Sequence, residues 1–286
     1  WAWEFITKVV NLDIDKLYIT VYKDDDEAYD IWSKIVKKDK IYRLSEETNF
    51  WKMGDTGPCG PCSEIIYDLG KEFGCGKPSC DVSCDCDRYL EVWNLVFTQF
   101  DRQADGSLIP LKQKNIDTGM GLERLNMVVN GLKNVFETDV FNPVVNEIIK
   151  NLNVNEKDRK TKNYVYAIGD HVRAATFAIS EGVIPTTEGR GYVIRKIIRR
   201  AIRYLKLLGS NQPFLYKLVP VVVRTMKDTY PEVELHREKV AVIIKAEEEK
   251  FLETLDEGLK IINEIIVSGK KVVSGELVFK LYDTYG

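Results

Sequence analysis

An α+β fold is predicted: an antiparallel sheet with flanking helices, followed by an all-helical portion. Three observations carry this. Residues 89–100 alternate with a two-residue period, the mark of a half-buried strand. Beyond about Asn163 the apolar residues recur at helical spacing instead. The 286 residues are 44% hydrophobic and 10% aromatic, enough for two cores and too apolar for a disordered or fibrous chain. No run approaches the ~20 apolar residues of a membrane span. Lys+Arg number 41 and Asp+Glu 44, a net charge of −3. That balance argues against a surface coated by nucleic acid but leaves room for one local basic patch. The chain starts at Trp1 rather than Met and stops at Gly286 in mid-pattern, so it reads as a piece of something longer.

The elements follow in order. A helical remnant at Trp1 leads to the strand-like run Lys16-Leu17-Tyr18-Ile19-Thr20-Val21-Tyr22. Asp24-Asp25-Asp26-Glu27 then opens a helix to about Lys37, since acidic side chains suit a helix N-terminus. Residues 49–62 are dense in Gly and Pro and read as a loop. In the strand at 89–100, alternation groups Val92, Asn94, Val96 and Thr98 on one side and Glu91, Trp93, Leu95 and Phe97 on the other. A turn at Asp105-Gly106 leads to a second strand, residues 108–116, and a helix starts at Leu122. The polar stretch 151–163 is the expected boundary, dividing the chain into residues 1–155 and 156–286. Past it, Ile194, Ile198, Ala201 and Leu205 form one helical stripe. Val240, Ile244, Phe251, Leu255, Leu259 and Ile262 form another, along a long helix from Arg237 to about Val267.

All six cysteines lie within 28 residues. Cys59 and Cys62 form C-x2-C, while Cys75, Cys80, Cys84 and Cys86 run C-x4-C-x3-C-x-C in a loop of Gly, Pro and Asp. Clustered thiols in a chain of cytoplasmic character favour a metal over disulfides. Four thiolates could close around one tetrahedral Zn2+, which would organise a loop poor in apolar residues. Cys59 and Cys62 are alternative contributors.

There is no G-x4-G-K-[ST] loop, no G-x-S-x-G and no H-E-x-x-H. Of the two histidines, His171 reads as a residue hydrogen-bonded to structure rather than as a base. The stretch Asn115-Ile116-Asp117-Thr118-Gly119-Met120-Gly121-Leu122-Glu123-Arg124 is more informative. A strand delivers a carboxylate to a turn, glycines allow a ligand close to the backbone, and Arg124 offers a guanidinium fork for phosphate. This stretch resembles motif 3 of class II aminoacyl-tRNA synthetases, in the form of the alanine-specific family. Four further runs are similar to the same family in order: residues 49–65, Glu91-Val92-Trp93-Asn94-Leu95-Val96-Phe97, Glu188-Gly189-Arg190-Gly191-Tyr192-Val193-Ile194-Arg195, and Tyr282-Asp283-Thr284-Tyr285-Gly286.

The resemblance implies the class II antiparallel sheet, then helices that recognise the tRNA acceptor stem. It implies an ATP-dependent ligase that forms alanyl-adenylate with Mg2+ and passes alanine to the 3′ end of tRNA(Ala). Asp117 would bind the alanine ammonium, with Trp51, Asn94 and Val96 walling the pocket. Gly119 and Gly121 would leave room for the adenylate, and Arg124 would meet ATP phosphates. Strand alternation turns Glu91 away from Asn94 and Val96. Motifs 1 and 2, carrying further ATP contacts, would lie before Trp1. Residues 189–209 hold seven basic side chains (Arg190, Arg195, Lys196, Arg199, Arg200, Arg203, Lys206) and no acidic one, as a surface tracking RNA phosphates needs. By resemblance Asp283 and the segment before Arg190 read a G·U pair, where Thr187 replaces the family's usual Asn. The alternative reading is a non-catalytic tRNA-binding module built on the same fold.

Overall fold

The run Leu17–Tyr22 forms β1, and five strands follow: β2 (Ile41–Leu44), β3 (Phe50–Lys52), β4 (Gly57–Asp68), β5 (Tyr89–Arg102) and β6 (Leu108–Met120). The computed structural model describes residues 1–155, 158–269 and 272–285, with the backbone alone at 280 and 282–285. The sheet order is β2-β1-β4-β5-β6, with β3 paired to β4. β1 and β2 run parallel, and every other pairing is antiparallel.

One face of the sheet is covered. Leu17, Ile19, Val21, Ile65 and Val92 meet helix α1 (Asp26–Trp32), which buries Ala28 and Trp32. Each such side chain contributes about 2 kcal/mol on burial. Asp25 caps the helix by accepting the Ala28 N–H at 2.9 Å. Helix α2 (Leu122–Val129) adds Met127 and Val128 to the same core.

Of the stretch 49–62 expected to be a loop, residues 50–52 form β3 and residues 57–62 the first half of β4. Pro61 is tolerated because the β4–β5 register slips between Cys59 and Cys62, so the ladder there is irregular. Gly60 explains itself by close approach: a Cβ there would come 2.0 Å from the Phe97 carbonyl oxygen.

The chain divides into two compact units after Thr138. The second is helical: α3 (Asn142–Leu152), α4 (Arg159–Ser180), α5 (Gly189–Leu207), α6 (Val219–Met226), α7 (Arg237–Val267) and α8 (Gly275–Tyr285). The polar stretch at 151–163 therefore follows a helix that already belongs to this unit, because Val144 and Val145 of α3 pack where Gly169 of α4 presents no side chain. On α5 the buried stripe is Ile198, Ala201, Ile202 and Leu205. On α7 the expected stripe is buried only to Phe251; Leu259 and Ile262 are each 39% exposed. No helix among the described residues is long and apolar enough to cross a membrane.

A buried carboxylate ties α7 to the segment before α6. Glu248, 1% exposed, accepts the backbone N–H groups of Phe214 and Leu215 at 2.8 and 2.9 Å and of Tyr216 at 3.4 Å. These donors open a short 3-10 turn at Leu215–Leu218 and lack helical partners of their own. Glu248→Ala should strand them and lower stability by about 3 kcal/mol, read as a reduced midpoint in urea unfolding.

Candidate functional site

The second face of the sheet is the site, and a bulge in β5 decides what it displays. Ile65 pairs with Trp93, yet its neighbour Ile66 pairs with Glu91, leaving Val92 as an extra residue. Val92 and Trp93 consequently both turn toward the core, with Leu95 and Phe97 following. Glu91, Asn94 and Val96 come to lie on the other face together. Strict alternation had turned Glu91 away from Asn94; the inserted Val92 reverses that parity.

Cross-strand rows fix the neighbours. Thr20, Glu64, Asn94 and Gly119 stand in one row across β1, β4, β5 and β6, and Cys62, Val96 and Asp117 in the next. Val96 is buried, Asp117 is exposed, and Trp51 pairs with Gly60 on β3 with 38% exposure. Beneath them is a buried polar layer. The Thr20 hydroxyl donates to Glu64 Oε2 at 2.7 Å, and Asn49 Nδ2 donates to Thr20 Oγ1 at 2.8 Å and to the Cys62 carbonyl at 3.2 Å. Burial, reinforced by the Glu91 charge, pushes the Glu64 carboxyl up to about 7 against the pull of Thr20 and Arg124. Burial and the nearby Glu64 push the Cys62 thiol up to about 12, while a hydrogen bond from Asn94 opposes them. Asn49 Oδ1 and Asn94 Oδ1 are buried and without a partner.

Glu64, Thr20 and Asn49 escaped the sequence reading. The available signal was a single carboxylate inside the strand-like run Cys62-Ser63-Glu64-Ile65-Ile66-Tyr67.

At the β6 end, Arg124 on the first turn of α2 donates from its Nη1 to the Glu91 carbonyl at 2.9 Å and to Glu91 Oε2 at 3.0 Å. Gly119 faces open space, whereas a Cβ on Gly121 would press on the Arg124 side chain at 3.2 Å. Gly121 thus leaves room for Arg124 itself. Glu64, Glu91 and Arg124 line a cavity of about 1180 Å3, whose lining also includes Cys84 and Cys86.

The cysteines separate into two sets. Cys59 and Cys62 are buried in β4. The thiols of Cys75, Cys80 and Cys84 lie within 4.8 Å of one another, the one such group of three among the described residues. Cys86 Sγ lies 3.7 Å from that of Cys80. Sulfurs ~2.3 Å from a tetrahedral zinc lie ~3.8 Å apart, so Cys75, Cys80 and Cys84 come near enough to share an ion. The Cys75 backbone N–H, helped by Cys86, Cys75 and Arg88 side chains, holds the Cys80 thiol below its ordinary value.

A family model described as tRNA synthetases class II (A) matches residues 1–286. The chain belongs to this family. It is 56% identical over 291 residues to the alanine–tRNA ligase of Endomicrobium trichonymphae, covering 100% of this chain and 33% of that protein. The alanine–tRNA ligases of Desulforamulus reducens and Carboxydothermus hydrogenoformans are each 51% identical, over 294 and 293 residues, with the same coverage. The chain thus spans about a third of the length of these curated relatives.

The basic residues of α5 divide by partner. Arg195 and Arg199 both donate to Glu247 Oε1 on α7, at 3.0 and 2.6 Å, and the Arg199 guanidinium lies 4.8 Å from the Phe251 ring centre. Lys206 donates to Asp256 at 2.9 Å. These three join two helices. Arg190, Lys196, Arg200 and Arg203 are exposed, as is Thr187 on the preceding loop. The side chain of Asp283 lies outside the described residues. His171 Nδ1 is 3.0 Å from Asp170 Oδ2 within α4, and its Nε2 is buried with no partner among the described residues.

Glu64 yields a pH test. Folded, it keeps its proton up to about pH 7, against 4.5 as its ordinary value. Between those values the native state binds more protons than the unfolded one, so stability falls as pH rises through this window. The shift corresponds to about 3 kcal/mol. Glu64→Gln cannot ionise, and its stability relative to the parent should be greater at about pH 8 than at about pH 5 in urea unfolding.

Proposed function

We propose that this chain supplies the alanine pocket and the acceptor-stem helices of an alanine–tRNA ligase. The supporting observation is the bulge-built face that carries Asn94, Val96 and Asp117 together with Glu91, the partner of Arg124, within a sequence half identical to such ligases. In this reading Asp117 holds the alanine ammonium, and the partnerless Asn94 Oδ1 accepts a second hydrogen bond from it. Val96 and Trp51 meet the methyl group. The alanine carboxylate attacks the α-phosphorus of ATP, pyrophosphate leaves, and the 3′-terminal hydroxyl of tRNA(Ala) then takes the alanyl group and releases AMP. Arg124 gives up Glu91 for a phosphate, gaining a charged partner as one is lost. Gly119 leaves space beside the adenylate. Mg2+ arriving with ATP neutralises phosphate charge. Cys75, Cys80, Cys84 and Cys86 hold Zn2+. The setting is cytoplasmic, where reduced thiols persist.

The helical unit, residues 139 onward, takes the tRNA acceptor stem. Arg190, Arg200 and Arg203 meet phosphates, while Thr187 and Asp283 read the G·U pair. Arg195 and Arg199 act through Glu247, holding α5 in place.

In the full-length protein, Asp117→Ala should reduce alanine-dependent ATP–pyrophosphate exchange by roughly 10²-fold or more while leaving tRNA affinity unchanged. A parent protein with no exchange would leave only the tRNA-binding module. Arg200→Ala and Arg203→Ala should each weaken tRNA binding and flatten its dependence on log salt by about one unit of slope. Arg199→Ala should instead cost about 2 kcal/mol of stability with little change in that slope, seen by comparing unfolding with filter binding.

A further inference from the structure

We propose that Glu64 is a positioning residue for the alanine substrate: its carboxyl donates a hydrogen bond to Asn94 Oδ1 and so fixes which end of the Asn94 amide faces the ammonium. The inference rests on the ligase reading and deepens it, giving a role to a buried carboxyl which that reading leaves unused.

Two amide oxygens near this face, Asn49 Oδ1 and Asn94 Oδ1, are buried with no donor. A buried acceptor left unpaired is costly, so each calls for a donor close by. Glu64 is the direct cross-strand partner of Asn94, and such partners place their Cβ atoms about 5 Å apart on one face. Asn49 reaches Glu64 only by way of the Thr20 hydroxyl. Asn94 is therefore the acceptor that a Glu64 O–H meets.

The bonds already present leave one gap, and the Glu64 proton fills it. Asn49 Nδ2 donates to Thr20 Oγ1 at 2.8 Å, and the Thr20 hydroxyl donates to Glu64 Oε2 at 2.7 Å. Farther along, Asn94 bonds the Cys62 thiol, whose Sγ lies 4.0 Å from the Thr48 carbonyl oxygen. A carboxylate between these groups would only accept, leaving Asn94 Oδ1 unserved. A carboxylic acid accepts from Thr20 and donates to Asn94. Burial and the Glu91 charge favour the acid up to about pH 7, against the pull of Thr20 and Arg124. Every donor in the chain then points the same way, from Asn49 toward Thr48.

The order of donors matters to the substrate. The two ends of an amide have nearly the same shape, so only its partners set its orientation. With Oδ1 held by Glu64 and Nδ2 spent on Cys62, the second lone pair of the oxygen can meet an ammonium beside Asp117, which stands in the next row. A flipped amide would set its NH2 against that cation, donor against donor. Glu64 itself touches no substrate atom in this arrangement; it acts through Asn94.

The test uses the full-length protein in alanine-dependent ATP–pyrophosphate exchange, with KM measured for alanine and for ATP. Glu64→Met offers similar bulk and no donor, and should raise the KM for alanine about tenfold while the KM for ATP stays within about twofold. Glu64→Gln, whose amide can accept from Thr20 and donate to Asn94, should restore the parent's KM for alanine. Glu64→Asp keeps an acid but withdraws it by one methylene, and should behave as Glu64→Met does; it carries the test where Glu64→Met does not fold. A parent-like KM for alanine in the Met or Asp variant would overturn the inference. A Gln variant as impaired as the Met variant would do the same, as would a rise in both KM values together, the mark of a distorted cavity. In each of these cases exchange by the parent keeps the ligase reading standing. A parent without alanine-dependent exchange would sink the ligase reading and the inference with it.

Discussion

Val92 has no partner of its own on β4, and the consequences of that one inserted residue run through the first unit. A strand alternates strictly, so a sequence wanting both Glu91 and Asn94 on one face must break the alternation between them. The break falls where it costs little. Val92 and the Trp93 behind it are both apolar, and both pack into the core that already holds Ile65 and Val128. An inserted polar residue would have been driven into that core without partners. The bulge therefore relies on two successive apolar side chains, and the Val-Trp pair provides them.

The same face carries charge at different depths, and depth assigns the roles. Glu64 is buried and holds its proton toward neutrality; Glu91 is half-exposed and pairs with Arg124. If both carboxylates were ionised and buried, their repulsion would oppose folding. The Thr20 hydroxyl lets Glu64 stay inside, because it donates to the carboxyl whether or not the proton is present. Asn49 in turn saturates Thr20 and holds the β4 backbone at Cys62. The layer keeps rigid what lies above it, so Asn94 and Asp117 are displayed by a fixed floor.

Much of the fold was legible where one physical rule acted alone. The strand at residues 89–100, with its period of two from Trp93 to Phe97, the acidic start of α1 and the basic run of α5 all hold in the structure. What was not legible had two rules in competition. Gly57 to Cys62 carries turn residues, yet it is a strand, since β5 and β3 on either side supply pairings that local propensity does not register. The bulge leaves no mark in composition, so the place of Glu91 could not be read from spacing. Glu64 was visible as a carboxylate among apolar residues, but its partner Thr20 is 44 positions away. Of the four loop cysteines expected together from spacing, Cys75, Cys80 and Cys84 meet within 4.8 Å, because the segment that carries them is short.

The helical unit shows why a count of arginines overstates a binding surface. A helix packed on one side and wet on the other has flanks, and positions 195, 199 and 206 fall on the flank facing α7. Their guanidinium and ammonium groups meet Glu247 and Asp256 there, and Arg199 also lies over Phe251. Two arginines on one carboxylate leave a net positive charge at that seam, which lends long-range attraction for an anionic partner without direct contact. The basic residues of α5 that stay exposed are Arg190, Lys196, Arg200 and Arg203. Contact and support are then separate properties of neighbouring arginines, and the spacing that distinguishes them is that of the helix itself.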